Sequence, residues 1–255
     1  MSWDGCACFV ARFLPVTSLI TLESMRLDKL LGITGCATRS ESKKIIRSGG
    51  VTVNGRVARS PDEKVFPQKD AVCFCGKPVV YRKYTYILMN KPEGVVSATE
   101  DGRDKTVIDL LPDEIRKKDL FPCGRLDKNT LGLVILTNDG EGAHRLLSPK
   151  HHVSKSYLFK CLSPLSEENR VLLEKGVDIG GYITKPCQIT LSDEYNGEII
   201  LTEGKYHQIK RMLEAVDNKI TYLERVRFGS IRLDSSLSRG EWRYLTDDEE
   251  KLFSE

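Results

Sequence analysis

The run Leu133-Val134-Ile135-Leu136-Thr137 restricts the possible folds more than any other stretch of this sequence. It is continuously apolar and rich in β-branched residues, and Asn138-Asp139-Gly140 closes it with a turn signal. A run of this kind reads as a strand buried on both faces rather than one with a wet side. Tyr86-Ile87-Leu88-Met89-Asn90 reads as a second strand, stopped by Lys91-Pro92-Glu93-Gly94. Further strands are expected at 155–161, 187–192, 197–202 and 223–228, with helices at 166–175 and 206–216. Strands dominate and several links are hairpin-short, so the expectation is an α+β domain built on a mixed, mainly antiparallel sheet. Asp139 is assigned to the turn.

The chain has 255 residues, enough for a small domain followed by a medium one. Its net charge of +3 hides an uneven distribution. Residues 25–84 carry 13 Lys/Arg against 5 Asp/Glu, a local net of +8, whereas residues 85–255 carry 25 against 29, a net of −4. A compact basic segment ahead of a near-neutral body suggests one part that holds a polyanion and another that acts on it. The expected division is a disordered extension over 1–24, a basic domain over 25–83 and a body over 84–255. In the extension, Asp4, Arg12 and Pro15 argue against a secretory signal. No apolar stretch is long enough to span a bilayer, so no membrane association is expected. The 8 cysteines form no C-x-x-C pair, and the two C-x-C pairs lack spaced histidines. Free thiols in a reducing cytoplasm are therefore expected, without a metal site. His151-His152 is read as an RNA contact or packing pair, because neighbours on a strand point to opposite faces and chelate poorly.

In the basic segment, Arg26 to Leu31 reads as a short amphipathic helix ending near Gly32. Thr38 and Glu41 have capping-box spacing for a second helix, which runs to Gly49-Gly50. Arg39, Lys43 and Arg47 fall at i, i+4 and i+8 on one face of it, flanked by Lys44. Such a face can meet phosphate oxygens without disturbing the core. Val51 to Val57 then reads as two short strands joined by a type I′ turn at Asn54-Gly55.

Asp127, in Gly124-Arg125-Leu126-Asp127, stands just before the buried strand. On residue type alone it reads as a loop cap. Its company along the chain changes that reading. The order of elements over roughly residues 25–70, with SGGVTVNGRV after the basic helix, closely resembles the S4 RNA-binding domain. GRLDKNTLGLVILTNDG at 124–140 resembles the nucleophile motif of the pseudouridine synthases, in the branch named for the small-subunit ribosomal RNA enzyme A. SPKHHVSKSYLF at 148–159 and EGKYHQIKRML at 203–213 resemble that branch's second and third motifs, and RVRFGSIRLDSSLSRGEWRYLT at 225–246 follows its ending.

The resemblance implies an isomerase that converts uridine to pseudouridine in ribosomal RNA. The reaction detaches uracil from C1′, turns it and rejoins it through C5, so it needs no redox cofactor, nucleotide cofactor or metal. It also implies Asp127 as the essential ionised carboxylate, acting by covalent or elimination chemistry, with Arg211 as its counter-ion. Gln208 stands at i−3 from Arg211 and shares its helix face. Tyr157 is expected against the uracil ring, as the base for the C5 proton, with Lys155 on the same face of its strand. Arg125 is expected to fill the stack vacated by the flipped base. A lone carboxylate in a dry pocket suits isomerisation better than hydrolysis, which usually requires two. The implied partner is ribosomal RNA or an assembling small subunit, met by a monomer. A large-subunit ribosomal RNA synthase and a non-catalytic assembly factor are the two rival readings.

Overall fold

The computed structural model describes residues 23–253 apart from positions 117, 149 and 152. Nearly all of the N-terminal extension, with Cys6 and Cys8, lies outside the described residues, as does His152. The chain divides into two compact units between Arg82 and Lys83.

The first unit contains β1 (Met25–Arg26), α1 (Leu27–Ile33), α2 (Arg39–Ser48), β2 (Val51–Val53), β3 (Arg56–Val57), β4 (Lys64–Val65), β5 (Val72–Phe74) and β6 (Lys77–Pro78). The capping box forms as expected: Thr38 accepts from the Glu41 backbone, and the Glu41 carboxylate accepts from the Thr38 N–H at 2.9 Å. Gly49 ends α2 with φ at +88°, the left-handed conformation that glycine reaches without steric cost. Asn54 and Gly55 both have positive φ, which makes the β2–β3 turn type I′. Leu27, Leu30, Leu31 and Ile46 pack on Val51, Val53 and Val72 to form this unit's core. That packing leaves Arg39, Lys43, Lys44 and Arg47 exposed together on α2.

The second unit is organised on a nine-stranded sheet. Its strands are β7 (Tyr86–Lys91), β8 (Phe121–Cys123), β9 (Leu131–Thr137), β10 (Lys155–Cys161), β11 (Gln188–Leu191), β12 (Asn196–Leu201), β13 (Ile220–Phe228), β14 (Ile231–Arg232) and β15 (Trp242–Tyr244). The order is β11-β12-β10-β13-β9-β7-β15, with β14 beside β13 and β8 beside β9. Every pairing is antiparallel except β9 with β13. The helices are α3 (Asp113–Arg116), α4 (Gly140–Leu147), α5 (Glu167–Lys175), α6 (Gln208–Glu214) and α7 (Asp247–Glu250). None of the described helices is long and apolar enough to cross a membrane.

The apolar run at 133–137 lies at the centre of this sheet. Leu133 and Ile135 face one core cluster with Leu88 and Phe228, while Val134 and Leu136 face another with Ile87 and Met89. Each of these fully buried side chains contributes about 2 kcal/mol relative to exposure. Where β9 crosses to its parallel neighbour, Gly132 is forced by geometry. A Cβ there would sit 2.3 Å from the Arg225 carbonyl oxygen, and its φ is +95°. This close approach fixes the loop of Asp127 against β13.

Two expectations change. Asp139 is not merely a turn residue. It caps α4, accepting from Gly142 N–H at 2.9 Å and from the Tyr86 hydroxyl at 2.7 Å. His151 lies in a turn after α4 rather than on a strand, so the opposite-faces argument has no strand to act on.

Candidate active site

Asp127 projects from the loop between β8 and β9 into a pocket of about 90 Å³. Arg125, Tyr157 and Gln208 also line it, together with Leu126, Ile209 and Leu223. Tyr157 is buried at mid-strand on β10, paired with Arg225 of β13 and Ile199 of β12. Four of the expected site residues therefore converge on one pocket although 83 positions separate Arg125 from Gln208 in the chain.

The counter-ion is a correction. Lys210, not Arg211, pairs with Asp127, its Nζ lying 2.7 Å from Oδ2. His207 Nε2 approaches the other carboxylate oxygen at 3.5 Å, and its ring stacks on exposed Tyr206. The reason is helical phase. His207, in the left-handed region at φ +51°, sets the start of α6, and successive helix residues then turn by about 100°. Lys210 points at Asp127, while the Arg211 guanidinium lies against the Gly180-Gly181 turn. Gln208 also takes a different part. Its amide accepts from Lys205 N–H at 2.8 Å and donates to Glu203 at 2.7 Å, so it braces the loop before α6. Lys155 stands just outside the pocket, in an adjoining cavity that shares Arg125 and Tyr157.

The loop bearing Asp127 is held on several sides. The Ser97 hydroxyl donates to the Leu126 carbonyl and accepts from the Leu126 N–H, each at 3.1 Å. Gly94 N–H donates to the Lys128 carbonyl at 3.0 Å. Lys91, wholly buried, reads in the sequence only as the stop of its strand. Its ammonium donates to the carbonyls of Thr130 at 2.8 Å, Pro92 at 3.0 Å and Lys128 at 3.1 Å. One cation thus ties the end of β7 to the segment that follows Asp127, which restricts where the Asp127 loop can move.

Lys91→Met is expected to lower kcat on the order of 10²-fold, as misplacing a reacting group does, measured by single-turnover assay. It should also change the response to pH. Burial pushes the Lys91 ammonium down from 10.5 to about 8, with Asp127 and Glu93 opposing the change. A lysine depressed in this way binds fewer protons folded than unfolded. Wild-type stability should therefore rise relative to the variant as pH climbs from about 8 towards 10.5. The gain should reach roughly 3 kcal/mol across that window, because each tenfold change in proton activity there is worth about 1.4 kcal/mol. Denaturant titrations of both proteins at the two ends of the window measure it, and an unchanged difference would refute it.

Comparison with known proteins places this geometry. Residues 85–215 match the RNA pseudouridylate synthase family, and residues 25–68 match the S4 domain. The chain is 47% identical to the Bacillus subtilis RNA pseudouridine synthase YtzG, over 91% of this chain and 99% of that one. It is 43% identical to the ribosomal small subunit pseudouridine synthase A of Vibrio vulnificus, over 88% of this chain and 97% of that one. The Escherichia coli protein of the same name is 37% identical, over 88% and 98%. A crystal structure of a pseudouridylate synthase superposes with a TM-score of 0.64 at 35% identity, covering 90% of this chain and 99% of that one. With an S4 domain ahead of a mixed-sheet body that presents Asp127 to a small pocket, the chain belongs to the RNA pseudouridylate synthase family.

Proposed function

We propose that this enzyme isomerises a specific uridine of small-subunit ribosomal RNA, with Asp127 as the reacting carboxylate. The observation that carries the reading is the pairing of Asp127 with Lys210 in a pocket walled by Leu126, Tyr157, Ile209 and Leu223. The ammonium places a fixed positive charge beside the carboxylate, in a pocket whose wall is partly apolar. The full-length likeness to relatives named for the small subunit supports the choice of RNA.

The target uridine leaves its stack and enters this pocket, with Arg125, exposed at the mouth, filling the gap it leaves. Asp127 promotes cleavage of the C1′–N1 bond. The base turns against Tyr157, and C5 bonds to C1′. The proton lost from C5 is matched by the one gained at N1, with the Tyr157 hydroxyl accepting the first as it releases its own, so no atoms enter or leave. Glu203 also lines the pocket, but it is held by the Tyr182 hydroxyl at 2.7 Å, the Lys185 N–H at 2.9 Å and the Gln208 amide. That leaves Asp127, among the described residues lining the pocket, without a second carboxylate poised to activate water.

Mapping pseudouridines at nucleotide resolution in ribosomal RNA, from cells with and without the gene, tests the assignment. Loss of one small-subunit site is expected. Loss of a large-subunit site alone, or of none, would reject it. In the first unit, Arg39, Lys43, Lys44 and Arg47 supply the docking face for the RNA backbone. Reversing the charge of Lys43 and Arg47 together should weaken RNA binding. It should also reduce the slope of log affinity against log salt by roughly 1 to 2. An unchanged slope across a salt series would remove α2 from the docking surface.

A further inference from the structure

The cavity adjoining the Asp127 pocket has a volume of about 250 Å³ and shares Arg125, Tyr157 and Lys205 with it. Lys155, Lys185 and Arg225 also line this cavity, beside an apolar wall of Leu146, Leu147 and Val153. Its cations come from different elements: Lys155 from β10, Arg225 from β13, and Lys185 and Lys205 from the loops around β11 and α6.

Arg225 is 1% exposed and among the largest wholly buried side chains of the molecule. Its Nε donates to the Leu133 carbonyl at 2.7 Å, but its buried Nη2 has no partner among the described residues. Lys155 donates to a single backbone carbonyl, that of Val153, at 3.0 Å, and its ammonium and the Arg225 guanidinium each lie 5.5 Å from the centre of the Phe228 ring. Burial, with Arg225 adding to it, pushes the Lys155 ammonium down to about 8. Glu203 is the one carboxylate among the described residues lining this cavity, and Tyr182, Lys185 and Gln208 already engage it. Cys123, also near, is held as a neutral thiol because burial pushes it up to about 11. Two neighbouring cations with so few acceptors, on a wall of low polarity, are costly unless an anion completes them.

We propose that this cavity is a phosphate subsite, taking a backbone phosphate adjacent to the nucleotide held against Asp127. This rests on the reading that the Asp127 pocket receives a flipped uridine of RNA. A tetrahedral anion has oxygens for donors from several elements, and here Arg225 of β13, Lys155 of β10 and the loop residues Lys185 and Lys205 line one cavity, with the Lys205 ammonium 4.1 Å from the centre of the Tyr182 ring. A nucleotide that leaves its stack remains tethered through both flanking phosphates, so one of them must lie beside the pocket. Engaging it would steady the flipped state before chemistry begins.

The test is calorimetric binding of uridine and of uridine 3′,5′-bisphosphate to the full chain. The bisphosphate is expected to bind at least about tenfold more tightly, the worth of one charge-assisted contact. Lys155→Gln should remove most of that difference, and Lys155→Arg should keep it. Equal affinity for the two ligands, or a phosphate gain indifferent to Lys155→Gln, would overturn the subsite. So would a bisphosphate that fails to bind at millimolar concentration. If Lys155→Gln fails to fold, the ratio of the two affinities in the wild-type and Lys155→Arg proteins still decides. The readout is binding, so a failed ribosomal RNA assignment would appear in the modification map and leave this result standing.

Discussion

Asp127→Asn is expected to lower product formation at least about 10⁴-fold, the scale on which removing an essential catalytic group acts, while RNA affinity stays within a few-fold of wild type. The substitution preserves shape and removes only the charge and one carboxylate oxygen. The loop that carries residue 127 is positioned through its backbone by Ser97, Gly94 and Lys91, none of which bonds to the Asp127 side chain. The ion pair lost with Lys210 is itself more than a quarter exposed on both sides, and such pairs contribute about 0–1 kcal/mol to stability. The fold should therefore tolerate the change, and a matched melting temperature would verify that. The α2 residues proposed for RNA docking belong to the first unit, and Asp127 to the second. Single-turnover conversion on RNA from cells lacking the gene, with deamidated protein removed, measures the effect. Activity within a hundredfold of wild type would mean that another group performs the cleavage.

Much of this architecture is legible in the sequence because its signals are local. The capping box at Thr38 and Glu41, the Asn54-Gly55 turn and the limits of β10 at Lys155–Cys161 all follow from periodicity and turn chemistry. Helix α4 is harder to read, because Gly140 and Gly142 lower its helix propensity and Asn138-Asp139-Gly140 also fits a plain turn. The site is legible only in part, and for a different reason. Asp127 is marked by its motif, but Lys91 and Arg225 are buried cations whose importance lies in carbonyls and cavities far away in sequence. A lysine before Pro92 and one arginine among the alternating residues of β13 carry no local sign of burial. Charge in a sequence is read by default as surface, and here two of the most buried side chains are basic. Gln208 shows the converse: spacing places it at the pocket correctly, yet its amide is committed to Glu203 and Lys205.

The choice between Lys210 and Arg211 separates these two kinds of information most sharply. Lys210→Met is expected to lower kcat on the order of 10²-fold to 10³-fold, similar to losing one preorganised electrostatic contact in an active site. Arg211→Met should cost less than about tenfold, because the guanidinium rests against Gly180 and does not line the Asp127 pocket. The two losses should also differ in kind. Without the Lys210 ammonium, Asp127 keeps His207 as its remaining ion-pair neighbour among the described residues, at 3.5 Å. The carboxylate then loses its closest cation. Lys210→Arg, which keeps a cation beside Asp127, should accordingly recover most of the loss, whereas Arg211→Lys should change little. A merely structural role for Lys210 would lower the melting temperature together with kcat. If Arg211→Met cost more than Lys210→Met, the ion pair at 2.7 Å would not be the one used in catalysis. The counter-ion would then revert to the residue that the motif alone suggested.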